Sequence, residues 1–323
     1  MANASKVVVC AYHNVGYRCL RELLAQGADV AAVFTHEDSK TENIWFDSVE
    51  KLAREKAIPC FTSDVNLPEN IEFLRSIAPD FIFSFYYRMM IGNQILSLPK
   101  QGALNMHGSM LPKYRGRVPV NWVVINGETE TGATLHHMVE KPDAGDIVDQ
   151  ERVTIGFEDT SLDVFRKVTE ASVRVISRSW PLLRDGKTRR VPMDLAAGSY
   201  YGGRKPSDGL IDWTMSAVRI YNLVRGVTHP YPGAFTFLDG KKVFLWKAWP
   251  HSGKAEPGEI ASLRPMLVGT GEGLLEIRSL QVETGEELNA DEFVSRINCL
   301  GASFEAGAGN RIGEGKIAGK EIR

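Results

Sequence analysis

Val7-Val8-Val9-Cys10-Ala11-Tyr12-His13-Asn14-Val15-Gly16-Tyr17, continued through Gly27 to Val30 and Thr35, is the stretch on which the fold turns. Residues 7–11 form an unbroken apolar, β-branched run, the pattern of a strand buried on both faces. Residues 12–16 read as a loop, residues 17–25 have helical spacing that stops at Gly27, and residues 30–35 are a second apolar run. Strand, helix and strand in that order predict a βαβ unit and a parallel sheet. The first turn lacks the Gly-x-Gly-x-x-Gly fingerprint, so NAD or another dinucleotide is not expected on this Rossmann-like frame. His13 and His36 fall at the ends of the two strands, where such sheets bind ligands. Each is equally an ordinary polar loop residue.

Working outward, helices are expected over 48–56, over 68–77 with Pro68 in the first turn, and over 119–126 with Pro119 likewise. Residues 58–61, 81–85 and 103–106 read as strands. Residues 132–139 and 147–154 read as an antiparallel pair at the edge of an otherwise parallel sheet. Thr160 with Asp163 resembles a capping box before a helix to about residue 183, whose Leu162, Phe165, Val168, Val173 and Ile176 share one stripe. Composition shifts after Gly186. The α/β domain is set at residues 1–190 and a linker at 191–205. Many short strands between turn signals over 206–303 suggest a small β-barrel. Residues 304–323, Gly- and Ala-rich, read as a flexible tail.

The 323 residues suffice for two ordinary domains, and 43% hydrophobic with 24% charged residues is a globular profile. A net charge of −2 gives no field to gather nucleic acid. The four cysteines, Cys10, Cys19, Cys60 and Cys299, make no Cys-x-x-Cys pair and, with no signal peptide, are expected as reduced thiols in a cytoplasmic protein. No apolar run approaches the ~20 residues of a membrane helix, so direct membrane insertion is not expected.

The chemistry concentrates in Asn105-Met106-His107-Gly108-Ser109-Met110-Leu111-Pro112-Lys113-Tyr114-Arg115-Gly116. On an extended segment Asn105 and His107 leave the same face. A carboxamide donor suits a reaction that builds charge on a carbonyl oxygen, and an imidazole moves protons near neutral pH. An isolated Asn or His in a loop is more often a turn former, as is Asp143 taken alone. Ser109 lacks the Gly-x-Ser-x-Gly elbow. Adjacent His136 and His137 point to opposite strand faces and give no zinc spacing, so no metal is expected. The corner Tyr86-Tyr87-Arg88-Met89-Met90-Ile91 is either plain core or a slot for a flat heterocycle.

The Asn-x-His pair, the loop Ser109 to Gly116 and Asp143-Ala144-Gly145 together resemble the signature of the 10-formyltetrahydrofolate-dependent formyltransferases. Ala11-Tyr12-His13, Phe34-Thr35-His36, Phe83-Ser84-Phe85-Tyr86-Tyr87-Arg88 and the run from Asn121 to Gly132 are similar to the members acting on UDP-4-amino-4-deoxy-L-arabinose in lipid A modification, lipopolysaccharide biosynthesis and polymyxin resistance. The likeness covers about residues 6–300. It implies N-formyl transfer to a nucleotide-linked amino sugar, with Asn105, His107 and Asp143 catalytic and 10-formyltetrahydrofolate as co-substrate. Met89, Met90, Ile91, Val139, Glu140, Lys141, Pro142 and Asp143 would hold the folate. It implies an OB-like C-terminal domain, and the tail lies where the bifunctional enzyme joins its decarboxylase. A homodimer and a separate upstream decarboxylase are compatible with it. Other UDP- or dTDP-linked amino deoxysugars remain open as acceptors. Methionyl-tRNA is disfavoured, because residues 37–43 are polar and slightly acidic where those enzymes carry a basic insertion. A diphosphate acceptor calls for cations, and the expected substrate contacts are Tyr12, Arg88, Ser109, Lys113, Arg115, Arg204 and Tyr231, Arg115 first.

Overall fold

The computed structural model describes residues 5–39, 43–296 and 302–305. The first domain runs β1 (Lys6–Ala11), α1 (His13–Ala25), β2 (Asp29–Phe34), α2 (Val49–Glu55), β3 (Cys60–Phe61), α3 (Pro68–Ile77), β4 (Phe81–Phe85), α4 (Asn93–Leu96) and β5 (Gly102–His107). It continues with β6 (Arg115–Gly116), α5 (Pro119–Ile125), β7 (Glu130–His137), β8 (Ile147–Thr154), α6 (Ser161–Arg184) and β9 (Tyr200–Tyr201). Seven strands form one sheet in the order β3-β2-β1-β4-β5-β7-β8. The first five are parallel, and β7 and β8 are antiparallel at one edge, as the alternation of residues 132–139 and 147–154 predicts.

The unbroken apolar runs are explained by two-sided burial. Val7, Val9 and Ala11 enter a core under α1 and α6, whereas Val8 and Cys10 enter a second core against Leu74 of α3. Burial pushes the Cys10 thiol up to about 12, so it is an inert core residue. The capping box at the start of α6 is present in full: Thr160 Oγ1 accepts from Asp163 N–H at 3.3 Å, and Asp163 Oδ2 accepts from Thr160 N–H at 3.0 Å. The expected loop over 12–16 is a correction: α1 starts at His13, with φ +65° at that residue and Tyr12 in the cap position.

The second domain has α7 (Ala217–Val227), β10 (Ala234–Leu238), β11 (Lys241–His251), β12 (Ile260–Leu263), β13 (Met266–Gly269), β14 (Leu274–Val282), β15 (Glu287–Asn289) and α8 (Ala290–Arg296). Its antiparallel sheet has the order β10-β11-β14-β13-β12, with β15 on β14. Residues 302–305 join the two outer strands. Phe304 N–H donates to Gly258 O beside β12 at 2.9 Å, and Glu305 N–H donates to Phe237 O of β10 at 2.9 Å. Phe304, at the front of the expected tail, is buried and stacks on Trp213. Residues 306–323 and Cys299 lie outside the described residues.

The domains are tied through α5 and α7. Asn121 Nδ2 donates to Gly226 O at 2.9 Å, and Ser161 Oγ donates to the same carbonyl at 2.8 Å. Among the described residues no helix is long and apolar enough to cross a membrane.

Candidate active site

The β5–β7 ladder builds the site. Register sets Asn105 opposite His136 and His107 opposite Thr134, so all four side chains lie on one face. His107 is 6% exposed, and its Nε2 donates to Tyr114 O at 2.8 Å, which fixes the ring. Its Nδ1 stands 3.6 Å from Asp143 Oδ1. Nε2 thus has its acceptor, and Nδ1 faces the carboxylate beyond hydrogen-bond length.

Asp143 reaches this face from the turn after β7, with φ +50°. Its Oδ2 accepts from Gly116 N–H at 2.9 Å, and its Oδ1 is also 3.6 Å from His136 Nε2. Burial alone would push the carboxyl up. The two imidazoles and the Gly116 N–H outweigh it and hold Asp143 well below the usual carboxylate range. A depressed folded-state value means the carboxylate stabilises the fold. That contribution is complete above the ordinary aspartate value of 3.8 and is lost as pH falls through the folded value. Denaturant midpoints of wild type and Asp143→Asn are therefore expected to converge as pH is lowered from about 5. A constant gap would show that the charge contributes nothing.

His136 is the residue that sequence reasoning missed. Its Nδ1 donates to His137 O at 2.9 Å, and its Nε2 lies 3.1 Å from the Asn105 amide nitrogen. The carboxamide is thereby oriented, with its second N–H left over for a ligand. The signal was present as an unused histidine, but reading it needs the β5–β7 register, which no local pattern carries.

The loop between Asn105 and Gly116 is held by the chain segment after α6. Arg115 N–H donates to Ser199 O at 3.0 Å, Arg117 N–H donates to Tyr201 O at 3.0 Å, and β6 pairs with β9. Three of the expected substrate contacts lie in or beside this clamp. Ser109 is fully buried, and its hydroxyl donates to Lys113 O at 2.7 Å. Arg115 is 4% exposed, inside the protein, with its Nε unpartnered. Lys113 lines a cavity of about 220 Å³ with Glu128 and Glu130, poor company for an anion. Arg204 instead lines a cavity of about 470 Å³ with Arg117, Lys205 and Asp208. There its Nη2 donates to Asp208 O at 2.7 Å and its guanidinium lies 4.6 Å from the Trp122 ring centre.

Tyr12 and Arg88 are brought together, with the guanidinium 4.4 Å from the ring centre. Tyr231 packs near Trp45, with centroids 6.3 Å apart. Met89 and Met90 are 39% and 64% exposed, and Val139, Glu140, Lys141 and Pro142 are exposed on the turn before Asp143. Exposed thioether side chains suit a flat, polarizable ligand. Among the described residues no cluster of three or more metal-ligating side chains occurs.

A family model described as formyl transferase matches residues 8–179, and the model for its C-terminal domain matches residues 204–298. The chain belongs to the formyl transferase family. Among solved structures, HypX from Aquifex aeolicus in complex with tetrahydrofolic acid is 19% identical, with TM-score 0.62 over 91% of this chain and 47% of that one. The chain thus spans about half the length of HypX. An N-formyltransferase from Helicobacter canadensis, in complex with folinic acid and dTDP-3-aminofucose, is 17% identical, with TM-score 0.65 over 88% of this chain and 100% of that one. WlaRD, a sugar 3N-formyl transferase in the presence of dTDP and 5-N-formyl-THF, is 18% identical, with TM-score 0.64 over 89% and 99%. These likenesses establish a shared fold.

Proposed function

We propose that this formyltransferase moves the formyl group of 10-formyltetrahydrofolate onto the 4-amino group of a UDP-linked amino sugar, UDP-4-amino-4-deoxy-L-arabinose, in lipid A modification. The convergence of Asn105, His107 and Asp143 on one face of the β5–β7 ladder carries this reading. The folate supplies the formyl group. Asn105, aimed by His136, holds the oxygen on which negative charge grows, a task worth ~3 kcal/mol for one preset donor. His107 provides the proton for the departing nitrogen, and Asp143 keeps the imidazolium in place. Met89, Met90, Ile91 and residues 139–143 form the folate wall.

The acceptor's diphosphate is assigned to the cavity of Arg117, Arg204 and Lys205, since these cations face open space where Arg115 does not. Arg117 follows Gly116 directly, so the cavity begins one residue from the main chain that holds Asp143. Arg117→Ala is expected to raise KM for the nucleotide sugar on the order of tenfold or more, with the folate KM unchanged. An unchanged sugar KM would move the diphosphate elsewhere.

A second acceptor class is favoured by a specific observation. The Helicobacter protein is described with dTDP-3-aminofucose, and WlaRD is described as a sugar 3N-formyl transferase with dTDP. A mass-spectrometric assay of formylated product across UDP- and dTDP-linked 3- and 4-amino sugars decides between them. Product from UDP-4-amino-4-deoxy-L-arabinose alone supports the first reading. Product only from a dTDP sugar replaces it. Consumption of the formyl donor with no amine present would count against both.

A further inference from the structure

The turn over residues 88–92, which follows β4 and carries Met89, Met90 and Ile91, is pinned from beneath by side chains remote in sequence. Asn66 Nδ2 donates to Met90 O at 2.8 Å, and Asn66 Oδ1 accepts from Gly92 N–H at 2.8 Å. The Tyr87 hydroxyl lies 3.8 Å from Met89 Sδ. A further pin is His36, whose Nε2 accepts the main-chain N–H of Arg88 at 3.0 Å. Its ring stacks on Tyr87 with centroids 4.4 Å apart and meets Tyr12 edge-on at 5.2 Å. Tyr12 is itself anchored, its hydroxyl donating to Asp38 at 2.9 Å.

We propose that His36 is a positioning residue for the folate turn: its unprotonated Nε2, clamped between Tyr87 and Tyr12, holds the Arg88 main chain in the shape that accepts the pterin, and protonation of that nitrogen releases it. This rests on the assignment of Met89–Ile91 to the folate. A main-chain N–H can only donate, so Nε2 must keep its lone pair and the ring must carry its proton on Nδ1. An imidazolium would set N–H against N–H. Burial first, and then the Arg88 guanidinium, lower the pKa of His36 below the usual imidazole value, against an opposing pull from Asp64. The charged or titratable groups around the ring are Arg88 on the turn, Asp64 before α3, Tyr87 after β4, Tyr12 after β1 with its partner Asp38, and Glu37 in the adjoining loop. The ring is therefore neutral at physiological pH and becomes a switch only in acid.

The test is calorimetric titration of tetrahydrofolate into the full chain at about pH 7.5 and about pH 5.5, for wild type, His36→Gln and His36→Phe. Gln offers an amide oxygen where Nε2 stood and does not protonate. Phe keeps the stacking and removes the acceptor. Wild type is expected to bind more weakly at the lower pH. The Gln variant should bind like wild type at the higher pH and lose the excess pH step. The Phe variant should bind on the order of tenfold more weakly at the higher pH. The ligand's own titration is common to all three proteins and cancels in the comparison. A Gln variant with the full wild-type step, or a folded Phe variant with wild-type affinity, overturns the proposal. If the Phe variant does not fold, the Gln comparison alone decides. A wild-type chain that binds no folate at either pH overturns the folate assignment itself, and this inference with it.

Discussion

His107→Ala is expected to lower kcat by roughly 10²–10⁴-fold, the range for removing a positioned acid–base group, while folinic acid still binds. The geometry explains why the loss should fall on kcat. The imidazole does not line an open wall; it is 6% exposed and locked by its bond to Tyr114 O. Only Nδ1 has freedom, and its 3.6 Å separation from Asp143 Oδ1 exceeds hydrogen-bond length. Removing the ring takes away the proton source without touching the exposed Met89 and Met90. Folding should survive, because the Ser109 hydroxyl, whose hydrogen is shared between Lys113 O at 2.7 Å and Tyr114 O at 3.3 Å, can turn toward the freed carbonyl. Asn105→Ala should cost roughly 10²–10³-fold in kcat. The double variant should fall little below His107→Ala, because groups acting as a unit are strongly non-additive. Single-turnover formyl transfer with the melting temperature as control measures all three. Turnover of His107→Ala at the wild-type rate removes the imidazole from the mechanism.

The sequence made much of this frame legible because its signals are local. Pro68 marks the start of α3 and the apolar run of residues 81–85 is β4, each with the observed bounds. Thr160 and Asp163 announce α6. Asn105 and His107 share a face because β5 is a strand, and a two-residue spacing is enough to say so. What stayed hidden is set by pairing at long range. His136 becomes a site residue through register opposite Asn105. The choice among Arg115, Arg117 and Lys113 depends on β6, a two-residue strand that exists only because residues 199–201 lie beside it. Arg115 is buried, whereas Arg117, beyond Gly116 with its φ of +97°, meets the cavity. Nothing within the loop's own sequence fixes that difference. The start of α1 was also unreadable, since Tyr12 at the cap position makes no side-chain cap bond and is not a capping residue type.

Gly116→Ala is expected to be the most damaging single methyl in the chain's catalytic loop, with a stability loss of about 3 kcal/mol or more and near-complete loss of activity. Two independent costs meet there. Gly116 has φ +97°, a conformation L residues rarely adopt. An added Cβ would lie 2.2 Å from Tyr201 O, a main-chain atom that cannot rotate aside. Relief requires β6 to part from β9, which breaks the bonds from Arg115 N–H to Ser199 O and from Arg117 N–H to Tyr201 O. The Gly116 N–H that holds Asp143 Oδ2 moves with them. The carboxylate then loses a fixed donor, His107 loses its aligned partner, and Arg117 swings away from Arg204 and Lys205. Gly186→Ala is a matched control, because it also has positive φ, +65°, but no atom within 4 Å of the added carbon. It should cost only the backbone strain, about 1 kcal/mol, with full activity. Equal melting temperatures and equal rates for the two variants would show that the β6–β9 clamp neither carries stability nor sets the site.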